Sequence, residues 1–150
     1  MEINFTAFDE RFLQCSSRWL QDNEIAALID APAFSKEKQD AWFNSLSQKD
    51  DYFIWGVQYG LMPVGVTGLK NVDKGKGEYW GYIGEKEYWS KGIGTAMLHF
   101  IENIAAGKGL HTLYLKVLET NVRAISLYQR HCYKTVETAD GFLWMEKRLA

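Results

Sequence analysis

The stretch that most constrains the fold of this 150-residue chain is residues 78–105, where three patterns follow one another in close succession. Glu78-Tyr79-Trp80-Gly81-Tyr82-Ile83-Gly84 is rich in aromatic residues and reads as a strand. Trp89-Ser90-Lys91-Gly92-Ile93-Gly94-Thr95-Ala96 then brings in two glycines, which allow a tight turn and a close backbone approach to a ligand. Ile93, Met97, Ile101, Ile104 and Ala105 fall on one face of an amphipathic helix that Gly107 and Gly109 end. The free amides of Gly92, Ile93, Gly94 and Thr95 would therefore point outward at the positive end of a helix dipole, a place suited to a phosphate. The string is not G-x-x-x-x-G-K-[ST], and Met97 stands where a dinucleotide fingerprint needs its third glycine. Taken alone, this loop leaves open the reading of a tight turn without a ligand.

The remaining pattern places that unit in an α/β fold. Ile3–Thr6 alternates as a first strand, and Asp9 offers an N-cap to a helix through about Leu20 with Phe12, Leu13 and Trp19 inward. Ile25, Leu28 and Ile29 suggest a short second helix that stops before Pro32, and Ser35 starts a third with Ala41, Trp42 and Leu46 at helical spacing. Tyr52–Tyr59 and Met62–Lys70 form a hairpin around Tyr59-Gly60, and the polar stretch Asn71–Gly77 reads as a loop. After the glycine-flanked helix, Leu113, Leu115 and Val117 alternate in a strand. Thr120-Asn121 then caps a helix with Ala124, Ile125 and Tyr128 inward, and Tyr133–Thr138 and Phe142–Leu149 close the chain as a hairpin. The expectation is one domain over 1–150: a mixed, mostly antiparallel sheet of six to seven strands flanked by about four helices.

Composition narrows the class. Seventeen basic and nineteen acidic side chains leave a net charge of −2, which speaks against broad nucleic-acid binding. No run approaches the roughly 18 apolar residues of a membrane span. The first residues lack a basic, then apolar, export pattern, so a cytoplasmic protein with Cys15 and Cys132 as reduced thiols is expected. His99, His111 and His131 show no metal-ligand spacing, and no metal is expected.

About thirty residues beyond the glycine loop, Asn121-Val122-Arg123-Ala124-Ile125-Ser126-Leu127-Tyr128 supplies a second motif. With the loop at 89–94, it resembles the GNAT superfamily of acetyl-CoA-dependent N-acetyltransferases, whose pattern is [Arg/Gln]-x-x-Gly-x-[Gly/Ala], a strand, then Asn-x-x-Ala-x-x-x-Tyr. Trp89 departs from that pattern, and Cys132-Tyr133 stands where relatives often carry Gly-Phe. The resemblance implies acetyl-CoA as co-substrate, with its pyrophosphate on the amides of Lys91–Thr95 next to Trp89 and Ser90. It implies that the strand splays at Tyr82-Ile83-Gly84 so that Ile83 pairs with the pantetheine amides. It also implies Asn121 near the pantetheine or the helix start, beside Ala124, and Tyr128 as the general acid for the departing CoA thiolate. A phenol with a pKa near 10 keeps its proton at neutral pH and suits that role. Trp89 in place of Arg or Gln removes one side-chain partner of the phosphates.

The amine acceptor must also lose a proton. Glu78 at the start of the central strand is the first candidate base, and Glu85 the second. Trp19, Trp42, Tyr79, Trp80 and Tyr82 are candidates to line an acceptor site for a small-molecule or peptide amine; the strand from Glu78 with Tyr88-Trp89 resembles the family branch acting on amino-sugar nucleotides, polyamines and protein N-termini. A monomer or homodimer is expected, with neither nucleic acid nor membrane as partner. The alternative reading is a non-catalytic acyl-CoA-binding or sensing module on the same fold.

Overall fold

The computed structural model describes residues 2–31 and 33–149. Short polar side chains start the first three helices, Asp9 and Ser35 where the sequence places them and Asp22 in addition. After strand β1 (Ile3–Ala7), Asp9 Oδ1 accepts hydrogen bonds from the amides of Arg11 and Phe12 at 3.1 and 3.3 Å, opening α1 (Glu10–Leu20). Asp22 caps α2 (Asn23–Leu28), and Ser35 caps α3 (Lys36–Ser45). Each oxygen satisfies amides that the helix itself leaves orphaned. Pro32, the expected stop of the second helix, lies outside the described residues.

Strands β2 (Phe53–Tyr59), β3 (Met62–Asp73) and β4 (Lys76–Ile83) follow as an antiparallel meander. Here the structure corrects one expectation: Asn71–Gly77 is not a loop. β3 runs to Asp73 and β4 begins at Lys76, leaving Lys74 and Gly75 as a two-residue turn with both φ angles positive, 52° and 80°. Such a turn matches the twist of paired strands. The polar composition misleads because the turn docks on the next strand. Gly75 O accepts from the His111 amide at 2.8 Å and the Thr112 amide at 3.3 Å, and that contact carries the pairing outward.

The second half comprises α4 (Ile93–Gly107), β5 (Thr112–Leu118), α5 (Val122–Arg130), β6 (Lys134–Ala139) and β7 (Phe142–Arg148). The seven strands form one sheet in the order β1-β2-β3-β4-β5-β7-β6, and β4–β5 is its parallel pair among otherwise antiparallel neighbours. Five α-helices cover it. On one face, Leu98, Ile101 and Ala105 of α4 pack with Tyr79, Leu113, Leu115 and Met145, joined by Ala124, Ile125 and Tyr128 of α5. On the other, Trp19 of α1 and Ile25 of α2 pack with Val66. Alternation along β4 sends Tyr79 to the α4 face and Trp80 and Tyr82 to the α1–α2 face.

The parallel ladder is short. Lys76, Gly77 and Glu78 pair with Thr112, Leu113 and Tyr114, and from Tyr79 onward β4 and β5 separate. The expected splay at Tyr82–Gly84 thus begins several residues earlier.

Past α5, exposed Cys132 turns the chain with φ = 73°, a left-handed conformation that a Cβ disfavours. Cys132→Gly is expected to stabilise the fold by about 1 kcal/mol, the αL relief exceeding glycine's entropic cost. That corresponds to a melting temperature raised by roughly 2–4 °C in a chain of this size. Thermal unfolding followed by circular dichroism checks it, and a lowered melting temperature contradicts it.

Candidate active site

Where β4 and β5 part, the sheet opens into a cleft of about 690 Å³, within the range of small-ligand sites. The peptide groups along its β4 wall are set by pairing parity. The amide of Gly84, the residue that follows β4, donates to Val64 O at 2.8 Å, and in the antiparallel register this sets the even-numbered residues of β4 to bond to β3. The peptide groups of Tyr79, Gly81 and Ile83 therefore turn to the open side. Gly81 has no space for a side chain: a Cβ at this position would meet Met97 Cε at 2.7 Å and Thr67 Oγ1 at 3.0 Å.

The glycine loop forms another wall. Gly92, with φ = 82°, is the N-terminal flank of α4 and has no side chain to cap it. An added Cβ there meets no atom, so it is the backbone angle that calls for glycine. The first helical hydrogen bond runs from the Ala96 amide to Gly92 O at 3.2 Å, which leaves the amides of Ile93, Gly94 and Thr95 without an acceptor inside the helix. Gly94 has a second purpose, because a Cβ there would meet Leu127 Cδ2 at 3.0 Å, and α4 and α5 touch at this point.

The third wall is α5. Asn121 Oδ1 accepts from the Ala124 amide at 3.3 Å and so caps the helix, one of the two placements expected for it. Two turns on, Tyr128 packs edge to face against Tyr79, ring centroids 6.1 Å apart. Burial pushes its phenol up to about 12. It therefore stays a proton donor throughout the neutral range.

Most of the residues singled out from the sequence thus meet in this one cleft. Tyr82, Ile83 and Trp89 line it with Ser90, Gly92, Gly94 and Thr95, and Asn121, Ala124 and Tyr128 face them. Four do not line it. Gly84 is buried under the Trp19 ring, and its amide is spent on Val64. The Ile93 side chain is core, leaving only its amide for the site. Lys91 is exposed, and Glu78 is 8% exposed at the vertex of the splay. Glu78 is held by the Asn71 amide group at 2.9 Å, with Lys70 at 4.0 Å, and as an even-numbered residue of β4 it lies on the face opposite Tyr79.

Glu85 has a structural job. Trp19 Nε1 donates to its carboxylate at 2.6 Å, and Arg18 joins them, tying α1 to the loop after β4. Burial pulls this carboxyl upward, but the Trp19 and Arg18 hydrogen bonds outweigh it and hold it below its ordinary 4.5, the wrong direction for a base. Next to it, Lys86 bridges Asp22 and Glu24 at 2.9 and 2.7 Å, tying α2 to the same loop.

Of the aromatic candidates for an acceptor site, Tyr79 and Tyr82 line the cleft. Trp19 is core at 2% exposed. Trp42 and Trp80 stand apart, joined through Tyr52 by ring contacts of 6.4 and 6.0 Å. Sequence reasoning missed Gly81, the α2 residues Leu28 and Ile29, and Arg123, all of which line the cleft. The glycine at 81 was the one signal available, and it was visible only as part of a strand.

The sequence model described as "Acetyltransferase (GNAT) family" matches residues 10–132. This chain belongs to the GNAT acetyltransferase family. Its class is therefore that of an acyltransferase enzyme. Solved structures share the fold at low identity. A domain from Methanocaldococcus jannaschii superposes with a TM-score of 0.89 at 18% identity, covering 99% of both chains. Spermidine N-acetyltransferase from Vibrio cholerae, in complex with CoA and spermine, gives 0.87 at 14% identity over 98% of this chain and 95% of its own. The PaiA N-acetyltransferase of Thermoplasma acidophilum, in complex with coenzyme A, gives 0.77 at 22% identity over 99% of both chains. No curated protein sequence matches the chain significantly. Among the described residues no helix is long and apolar enough to cross a membrane, and no group of three or more His, Cys, Asp or Glu is arranged to hold a metal ion.

The Glu85 tie has a pH signature. A carboxyl lower in the folded than in the unfolded chain contributes stability that is complete above its unfolded value and is lost as the pH falls through the folded one. Stability should therefore drop as the pH falls below about 4.5. Glu85→Gln should be less stable than wild type at neutral pH and show a shallower acid limb. Urea unfolding across pH reads this, and parallel acid limbs in the two proteins contradict it.

Proposed function

We propose that this GNAT acetyltransferase transfers the acetyl group of acetyl-CoA to a primary amine by direct attack, with Tyr128 as the general acid. The observation that carries the reading is that Tyr128 shares one cleft with the uncapped amides of α4 and the unpaired edge of β4. An anion at the loop, an amide-bearing chain along the strand and a leaving group at the phenol are the three demands that acetyl-CoA makes of a site. The residues fit each of them. Ile93, Gly94 and Thr95 offer amides to the pyrophosphate. Tyr79, Gly81 and Ile83 offer peptide groups to the pantetheine as an added strand would use them.

In the reaction the amine nitrogen bonds to the acetyl carbon while the carbon–sulfur bond breaks, and the sulfur leaves with its electron pair. Tyr128 supplies the proton that makes it a thiol. Glu78, at the vertex of the splay but outside the cleft lining, takes the proton that the amine gives up through water. No covalent enzyme intermediate is needed. Leu28 and Ile29 of α2, which line the cleft with Tyr82, are the side chains assigned to the acceptor amine.

Release of free CoA from acetyl-CoA across a panel of polyamines, amino-sugar nucleotides and peptides with free N-termini tests the reading. Turnover with one amine class is expected, and failure of acetyl-CoA to raise the melting temperature would sink it. Tyr128→Phe should lower kcat by about 10²-fold, in the range of general acids, with cofactor binding retained. Wild-type kcat should show no alkaline loss from this phenol until the pH nears about 12. An unchanged kcat in Tyr128→Phe removes the acid role. Glu78→Gln should flatten the acid limb of the kcat profile if Glu78 is the base, and identical limbs would reassign the proton to solvent.

A further inference from the structure

Position 89, the first residue of the glycine loop, carries no charge, yet the ligand proposed for that loop carries several. The cations that line the cleft are Arg123 and Arg130, both on α5 and both exposed. Neither makes an ion pair among the described residues. Of the two, Arg123 has a fixed seat: its guanidinium carbon lies 5.1 Å from the centre of the Trp89 ring. That ring is itself immobilised. Its Nε1 donates to Ile83 O at 2.9 Å, and it packs with the Trp19, Ile25 and Val66 cluster.

The arrangement is informative because of where its two members sit. Trp89 follows β4 and Arg123 follows β5, so their contact joins the two walls of the cleft beside Ser90 and the free amides of α4. An exposed arginine ordinarily has considerable rotamer freedom, and ordering it costs free energy. A guanidinium resting on an indole face loses less of that freedom on meeting an anion, and it keeps its donors along its edge. Tryptophan also supplies the hydrogen bond that occupies the Ile83 carbonyl, which leaves the Ile83 amide as the group open to a ligand at that residue.

We propose that Arg123, steadied on the Trp89 ring, is the side-chain cation for the phosphate groups of acetyl-CoA, doing from α5 what position 89 does not do from the loop. The inference rests on the reading of the cleft as an acetyl-CoA site and adds a residue that the loop and helix motifs do not mark. The phosphate concerned is either the pyrophosphate or the ribose 3′-phosphate, which share the same chemistry.

Calorimetric titration of CoA and of dephospho-CoA into wild type, Arg123→Gln, Trp89→Leu and the double variant decides it. Arg123→Gln should weaken CoA about tenfold, the scale of one charge-assisted hydrogen bond at a solvent-facing site. The same loss with dephospho-CoA assigns Arg123 to the pyrophosphate, and a vanished loss assigns it to the 3′-phosphate. Both outcomes support the proposal. In the Trp89→Leu background, removing Arg123 should cost clearly less than tenfold. Trp89→Phe, which keeps a ring but no donor, should retain the dependence on Arg123 and guards against a leucine variant that folds poorly. CoA affinity unchanged in Arg123→Gln overturns the proposal while the acetyl-CoA reading stands. Wild type that binds no CoA overturns both.

Discussion

The cleft of this molecule depends on a parallel ladder that stops after three residue pairs. A sheet that kept β4 and β5 paired to their ends would satisfy every peptide group and leave no site. Ending the ladder at Glu78–Tyr114 exposes a row of donors and acceptors along Tyr79, Gly81 and Ile83 in the middle of a seven-stranded sheet. Such groups are costly when buried without partners. The protein answers part of that need itself, through the Trp89 indole on Ile83 O. The rest faces the cleft.

The loop that crosses from β4 to α4 has to stay in place although it has few main-chain partners of its own. Two ties from the first helices hold it: Glu85 to Trp19 and Arg18, and Lys86 to Asp22 and Glu24. Surface pairs of the second kind are individually weak. The first kind is stronger because Glu85 is half-buried and also meets an indole donor. Together they tie α1 and α2 to the segment that leads into the glycine loop.

The starts of α1 and α3, the strands of the meander and the turn at Gly92 were legible in the sequence because each depends on local backbone chemistry or on periodicity, whereas the joining of Gly92 with Asn121, Ala124 and Tyr128 was implied by the family resemblance. Three things were not legible. Asn71–Gly77 looks like a loop in composition, and only the docking of Gly75 on β5 makes it two strand ends. Glu85 looks as available as Glu78 until Trp19 and Arg18, some 66 and 67 positions away, are seen to engage it. Arg123 is an ordinary helix-surface arginine in sequence, and its meaning comes from a ring 34 residues earlier that reaches it only across the cleft. In each case the deciding partner is remote in the chain, where neither periodicity nor spacing carries information.

The Trp19 ring lying on Gly84 belongs to a wider pattern. Phe12 covers Gly56 and Trp80 covers Gly68 in the same manner, each ring filling the space that a Cβ on its glycine would take. Ring and glycine are thus one unit of volume divided between two distant positions. Neither can change alone without a void or a clash. The aromatic richness of this chain and its glycine-punctuated strands are one property, and related sequences should exchange these residues in pairs.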